Sequence, residues 1–294
     1  MKKICHMEIV SSYIDHTFLD EKTIGKFFQN NMYNDSDLQN FVCVSTCHRM
    51  EYYSIDLHKQ FSILDTPSKY TQNTLETAQR LIEILVGVQS VILGEPYVKK
   101  QLINAFSKSK NKNITDFFST CLEIADQVRS KYNFYNEKNY LEIGLSFLPP
   151  ASNLLVIGGG MLVQKIIEMN KHTQIQIITR NPKKLKKQIN AKNVTIEKIE
   201  NAKGNFTHCM IATVIQKDYS KILQNYLDNS SISTVIDLSS VPLYKTNPKF
   251  KYISMYDKSF KKEIDSSNKI FKKSVNQIKQ TIQQTVINRY RDLI

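Results

Sequence analysis

Residues 153–163 read NLLVIGGGMLV, an apolar run that ends in three consecutive glycines and resumes as an apolar segment with helical spacing. The run Leu154–Ile157 is short and unbroken, as a strand buried on both faces would be. Gly158 permits a tight turn out of that strand. Gly160 lets a backbone come close to a pyrophosphate seated on the N-terminus of the following helix, which spans residues 161–169. The usual fingerprint carries a further glycine three positions on, and here that position is Val163.

Working downstream, strand-like and helix-like stretches alternate. QIQIITR, VTIEKI, THCMIAT, STVIDLS and KYISMYD read as strands; NPKKLKKQI and DYSKILQNYL read as helices. Such alternation predicts a doubly wound parallel sheet of the Rossmann type. The second strand runs into Arg180, where an enzyme using NAD would carry an acidic residue for the ribose. A guanidinium there suits a 2′-phosphate, so the expected cofactor is NADPH, held by Gly158, Gly159, Gly160, Met161, Leu162, Val163 and Arg180. From residue 258 onward Gly and Pro are absent. Ile264, Phe271, Val275, Ile278, Ile282, Val286 and Tyr290 form one stripe, which predicts a single long helix. The stripe needs a cover, either the body of the chain or a second copy in a homodimer.

Upstream, Pro149-Pro150 marks a domain border. Residues 1–148 read as an α+β domain: strands over MEIVSS, NFVCVSTC and EYYSIDL, then helices over residues 20–32, 75–86, 98–109 and 114–132. The threonine and glutamate that open TLETAQRLIEILV suggest a capping box. The expected division is therefore 1–148 for substrate and catalysis, 149–257 for the nucleotide, and 258–294 as a linking helix.

Composition narrows the class. Hydrophobic residues make up 41% of the 294, enough for two domain cores. No apolar run reaches the roughly 18 residues of a membrane span, and no secretory leader is evident, so a cytoplasmic setting is expected. The five cysteines (Cys5, Cys43, Cys47, Cys121, Cys209) form no CxxC pair, which argues against a zinc site or a disulfide framework, and no metal is expected. The net charge of +13 favours polyanions, nucleic acid among them, although lysines that merely solvate the surface account for it equally well.

One cysteine stands apart. In VCVSTCHRMEYY, residues 42–53, Cys43 alternates within the apolar run and reads as a buried small hydrophobe. Cys47 falls where the run turns polar, beside Thr46, His48 and Arg49. Positive neighbours are expected to lower its thiol pKa. A thiol nucleophile together with a nicotinamide cofactor suggests attack on an activated carboxyl group and reduction of the resulting thioester to an aldehyde.

STCHRMEYY (residues 45–53), GVQSVILGEPYVKKQL (87–102), VIGGGMLV with TRNP, and VIDLSSVP (235–242) resemble, in order, the motifs of glutamyl-tRNA reductases. The resemblance implies Cys47 as nucleophile with His48 beside it as a second catalytic candidate. Thr46, Arg49, Ser90, Glu95, Pro96, Tyr97 and Gln101 are then substrate-binding, Arg49 gripping a glutamate carboxylate. It implies charged tRNA(Glu) as substrate, glutamate-1-semialdehyde as product, entry into tetrapyrrole synthesis, and an aminomutase as the partner that takes the aldehyde. The chain departs from the family at His48, Met50 and Tyr97. Arg80 stands where the family has a histidine thought to assist catalysis, and the family's separate dimerisation domain is not expected here. Two alternatives stay open: a non-catalytic relative that keeps NADPH or tRNA binding, and another dehydrogenase sharing only the nucleotide domain.

Overall fold

The structure, a computed structural model, describes residues 8–20, 23–25, 27, 41–55, 68–149, 153–169, 174–189, 191–202, 204–213, 215–244 and 249–290. The fold is α/β and divides into two compact units. One comprises Met1–Ile24, Met32–Glu137 and Ser266–Ile294; the other comprises Gly25–Asn31 and Lys138–Asp265. Of the helix read at residues 20–32, Thr23–Gly25 and Phe27 are helical, with Asp20 accepting from the Thr23 amide at 2.9 Å; the remainder, like Cys5, lies outside the described residues.

In the first unit, β1 (Val10–Asp15), β2 (Phe41–Thr46), β3 (Arg49–Ser54) and the short β4 (Lys69–Tyr70) form an antiparallel sheet in the order β2-β3-β1-β4. Helices α1 (Thr74–Val86), α2 (Tyr97–Phe106) and α3 (Lys112–Tyr132) follow. The cap of α1 is Asn73, one residue earlier than the threonine read from sequence. Asn73 accepts from the Glu76 amide at 2.9 Å, and Glu76 reaches back to the Gln72 amide at 2.8 Å. The pairing of carboxamide and carboxylate does the work of a capping box. The core joins Leu81 and Leu85 of α1 to Phe106 and Phe118, whose rings stack at 4.0 Å.

The tail is not one unbroken helix. It runs as α8 (Lys258–Phe271), a 3-10 turn at Lys272–Ser274, and α9 (Val275–Arg289). Beyond the turn, Ile278, Ile282 and Val286 are buried in the core of the first unit, against which Phe271 and Val275 also pack. Each such side chain contributes about 1.5–3 kcal/mol. The body of the chain thus covers this stripe.

In the second unit, α4 (Tyr140–Ser146), capped by Asn139, precedes the nucleotide-type sheet and escaped the sequence reading. Strands β5 (Leu154–Ile157), β6 (Ile175–Ile178), β7 (Val194–Glu197), β8 (His208–Ile211), β9 (Thr234–Asp237) and β10 (Lys251–Ser254) are all parallel. Their order is β10-β9-β8-β5-β6-β7. The first strand of the unit therefore sits centrally, with later strands winding outward on both sides, as in a doubly wound fold. Helices α5 (Met161–Met169), α6 (Pro182–Lys186) and α7 (Lys217–Asp228) are the crossovers. Among the described residues, no helix is long and apolar enough to cross a membrane.

Candidate functional site

Strands β2 and β3 pair from Phe41↔Ser54 to Thr46↔Arg49, which leaves Cys47 and His48 as the two-residue tip of a hairpin. Neither tip residue has a positive φ, so the tip is not one of the mirror-image turns that best fit a twisted hairpin. Thr46 supports it instead, its Oγ1 accepting from the His48 amide at 3.3 Å. The His48 carbonyl accepts from the His16 amide at 3.1 Å, tying the tip to the end of β1. The two imidazoles lie edge-on at 6.0 Å. Burial, with Arg49 next, holds His16 below its usual pKa and therefore neutral at pH 7.

Cys47 is half-buried, and so is Cys43, which is less enclosed than its place in the run suggested. The thiol of Cys47 is not activated in the way its chain neighbours suggested. Burial first and the Glu95 carboxylate second push it up to about 11. The reason is where the cations go. Arg49 is 1% exposed, donates to the Gln89 carbonyl and lies 3.5 Å from Glu51. Arg80 is committed too, with Nη2 at 2.6 Å from both Asp15 and Glu51 and its guanidinium 3.2 Å from the Tyr13 ring centroid. Burial works against the Arg80 charge, but Glu51 and Asp15 keep it protonated. At the family's histidine position stands a fixed cation neutralising two buried acids, and a guanidinium cannot act as a base at neutral pH.

The segment 87–95 carries the other expected substrate residues. Gly87 (φ 93°) ends α1 and Gly94 (φ 74°) closes the loop, with the Gly94 amide donating to the Gly87 carbonyl at 3.1 Å. A Cβ on Gly87 would lie 2.9 Å from the Gly94 Cα, so the neck admits no side chain. Three side chains pin the loop. Arg49 holds Gln89. Buried Arg129 of α3 donates to Leu85, Val86 and Gly94 carbonyls at 3.2, 3.1 and 2.8 Å. Asn268 of α8 accepts from Leu93 N and donates to Val91 O, both at 2.8 Å.

Within this frame Ser90 is 7% exposed, and its Oγ has no hydrogen-bond partner among the described residues. It lines a cavity of about 540 Å³ with His16, Asp20, Asn268 and Lys272. Glu95 is turned to structural use, its carboxylate accepting from the Tyr97 and Val98 amides at 2.7 and 3.0 Å to cap α2. Pro96, Tyr97 and Gln101 are half-buried at the start of α2. Cys47, Thr46, Glu95 and Gln101 do not line the Ser90 cavity.

The glycine loop lies in the second unit, at the end of β5 where the strand order reverses. Gly158 has φ 143°, and a Cβ there would press within 2.9 Å of the Ala212 carbonyl oxygen. At Gly159 it would lie 3.0 Å from Thr179 Oγ1, whereas at Gly160 it would meet nothing within 4 Å. Val163 is fully buried and donates its amide to the Gly160 carbonyl at 3.1 Å; Leu162 is half-buried, and Met161 opens α5. A cleft of about 280 Å³ runs from the three glycines past Thr179, Arg180, Asn181 and Thr213 to Gln216. Arg180 is exposed there and donates to Gln216.

Residues 4–132 match the family described as glutamyl-tRNAGlu reductase, N-terminal domain. A glutamyl-tRNA reductase of Fusobacterium nucleatum is 24% identical over 220 residues, an alignment spanning 69% of this chain and 63% of that protein. The chain is similar to glutamyl-tRNA reductases, with the domain match confined to its N-terminal part. It spans under two thirds of the length of that reductase. Protein nfe2 of Rhizobium meliloti is 29% identical over 254 residues, 76% of this chain and 80% of that one. Among solved structures, that of RSP, a Rex-family repressor, in complex with β-NADH is similar at a TM-score of 0.32 and 15% identity, covering 69% of this chain and 93% of that one.

Against the family pattern, three residues at or behind the site went unread in the sequence: His16, Arg129 and Asn268. His16 follows directly on β1, which is itself a signal, since strand ends are where side chains reach clefts. Arg129 reads as a helix-surface cation and Asn268 as one amide in a lysine-rich tail. No local pattern marks either.

Proposed function

We propose that this chain reduces glutamyl-tRNA(Glu) to glutamate-1-semialdehyde with NADPH, through a thioester on Cys47, as the entry step of tetrapyrrole synthesis. The observation that carries the reading is the position of Cys47, at the tip of a hairpin inside the region that matches the reductase domain. Residues 1–148 then handle substrate, 149–257 the cofactor, and 258–294 the link. The net charge of +13 favours the tRNA, and an aminomutase is the expected recipient of the aldehyde.

Cys47 Sγ bonds to the carbonyl carbon of the glutamyl ester as its proton is removed. The bond to the tRNA ribose oxygen breaks, and that oxygen leaves with a proton. With a pKa of about 11, only about one thiol in ten thousand is ionised at pH 7. Proton removal therefore accompanies attack. His16, neutral at pH 7 and tied by its amide to the His48 carbonyl, is the candidate base for that proton. Ser90 Oγ, buried without a partner among the described residues, is available to the glutamyl group, and Thr46 steadies the tip. When bound, the nicotinamide cofactor supplies the hydride that reduces the thioester carbonyl. The C–S bond then breaks, and Cys47 returns as thiolate.

The nucleotide loop fits such a cofactor. Gly158 takes a φ that side chains resist, and the open space at Gly160 is where a pyrophosphate approaches a backbone. Arg180 on the cleft rim supports the 2′-phosphate, hence NADPH.

One observation favours a second reading, a non-catalytic relative that binds without turnover: Arg80 is locked between Asp15 and Glu51 where the family carries its histidine. Single-turnover incubation with radiolabelled glutamyl-tRNA, with and without NADPH, separates them. A labelled aldehyde that needs both NADPH and Cys47 is the expected result. Intact glutamyl-tRNA in every tube, from folded protein, selects the second reading. The raised thiol makes a further prediction: iodoacetamide alkylation of Cys47 speeds up about tenfold per pH unit from 7 to 10. A plateau by about pH 8 would mean a thiol activated by a neighbouring cation.

A further inference from the structure

The sheet of the second unit carries another cleft, built from the residues that lead into β5, β6 and β7 and the loop entering β8, at the strand ends away from the glycine loop. Its volume is about 760 Å³, and six of its twelve lining residues are carboxamides, Gln174, Gln176, Asn193 and Asn205 among them; Phe206 also lines it. Carboxamides are common throughout this chain, so their number alone decides nothing.

Gln176 decides more. It lies in the middle of β6, whose four residues are all buried, and is itself 4% exposed. Its Oε1 is buried, with no hydrogen-bond partner among the described residues. In register it stands between Leu155 of β5 and Thr195 of β7. A strand inside a parallel sheet is ordinarily apolar throughout, and a leucine here would continue the face that Leu155 begins. A buried amide left unsatisfied is a cost without structural return. Between β7 and β8 the described residues form only a 3-10 turn, Ile199–Asn201, and irregular chain. No described helix covers this part of the sheet, and the cleft remains.

We propose that this cleft binds a nucleobase, presented by a free nucleoside or by an unpaired residue of RNA. A carboxamide offers a donor and an acceptor in one plane, which matches the paired donor and acceptor on the edge of a base. A ring beside such amides is the usual companion of an unstacked base. Lys192 and Glu197 both line the cleft, so its charge selects no phosphate and the base itself is what the amides recognise. The site stands apart from the Gly158–Gly160 cleft and does not rest on the reductase reading.

The test is calorimetric titration of the full chain with each of the four ribonucleosides and with a short single-stranded oligoribonucleotide, for wild type, Gln176→Leu and Asn205→Ala. Saturable binding of at least one nucleoside, weakened about tenfold or more by Gln176→Leu in folded protein, is the expected result. Binding of the oligonucleotide alone, with the same dependence on Gln176, assigns the base to RNA. Absence of binding to both, or binding that neither variant moves, overturns the proposal. A higher Tm for Gln176→Leu with unchanged titrations would overturn it equally, leaving Gln176 as a buried polar residue of the sheet.

Discussion

At Gly87 an added Cβ would lie 2.9 Å from the Cα of Gly94, whereas at Gly160 it would meet nothing within 4 Å. Both glycines belong to loops that the family resemblance ties to function, and they are glycine for different reasons. Gly87 and Gly94 close a neck whose two sides touch, so the chain itself requires them. Gly160 faces open space at the head of a cleft, so the requirement comes from whatever enters it. The first kind should reveal itself in stability and the second in binding.

The widest gap between the loops should come from their supports. Arg129→Ala strips donors from three buried carbonyls beside the first loop and is expected to cost about 3 kcal/mol or more in urea unfolding. A loss under about 1 kcal/mol would mean that water reaches those carbonyls and that the loop is not pinned. Gly87→Ala comes next, at about 2 kcal/mol, from the positive φ and the closed neck. Asn268→Ala removes both bonds to Val91 and Leu93 and should cost about 1–2 kcal/mol, with loop amides exchanging faster with solvent. Gly160→Ala sits at the bottom of the stability scale, within about 0.5 kcal/mol of wild type, yet should weaken NADPH binding about tenfold or more. Were Gly160→Ala to unfold the protein as Gly87→Ala does, the contrast between the loops would disappear.

The same contrast explains what the sequence made legible. Strand, glycines and helix follow one another within residues 154–169, so the nucleotide-type loop can be read from a single stretch. Gly87 and Gly94 can be read only as punctuation. Their fastenings come from Arg129 and Asn268, the latter 177 residues from its partner Val91, and no spacing rule connects such positions. Cys47 was readable as the end of a strand, but its environment was not. Chain neighbours His48 and Arg49 suggested an activated thiol, while Arg49 is drawn to Gln89 and Glu51, and burial first and Glu95 second act on the sulfur. Arg80 was visible as a departure from the family. Its partners, Asp15 and Glu51, become apparent only once β1, β3 and α1 are packed.

The last helix has a consequence for how the chain is made. Ile278, Ile282 and Val286 complete the core begun by Leu81 and Leu85, and Asn268 fastens the loop at Val91 and Leu93. A ribosome delivers these residues only after the whole of 138–265 has emerged. The parallel sheet can therefore close on the nascent chain while the cysteine-bearing unit still waits, its helices presenting an unfilled apolar groove. Translation of the final segment, rather than of the hairpin that carries Cys47, sets the moment at which that unit becomes whole.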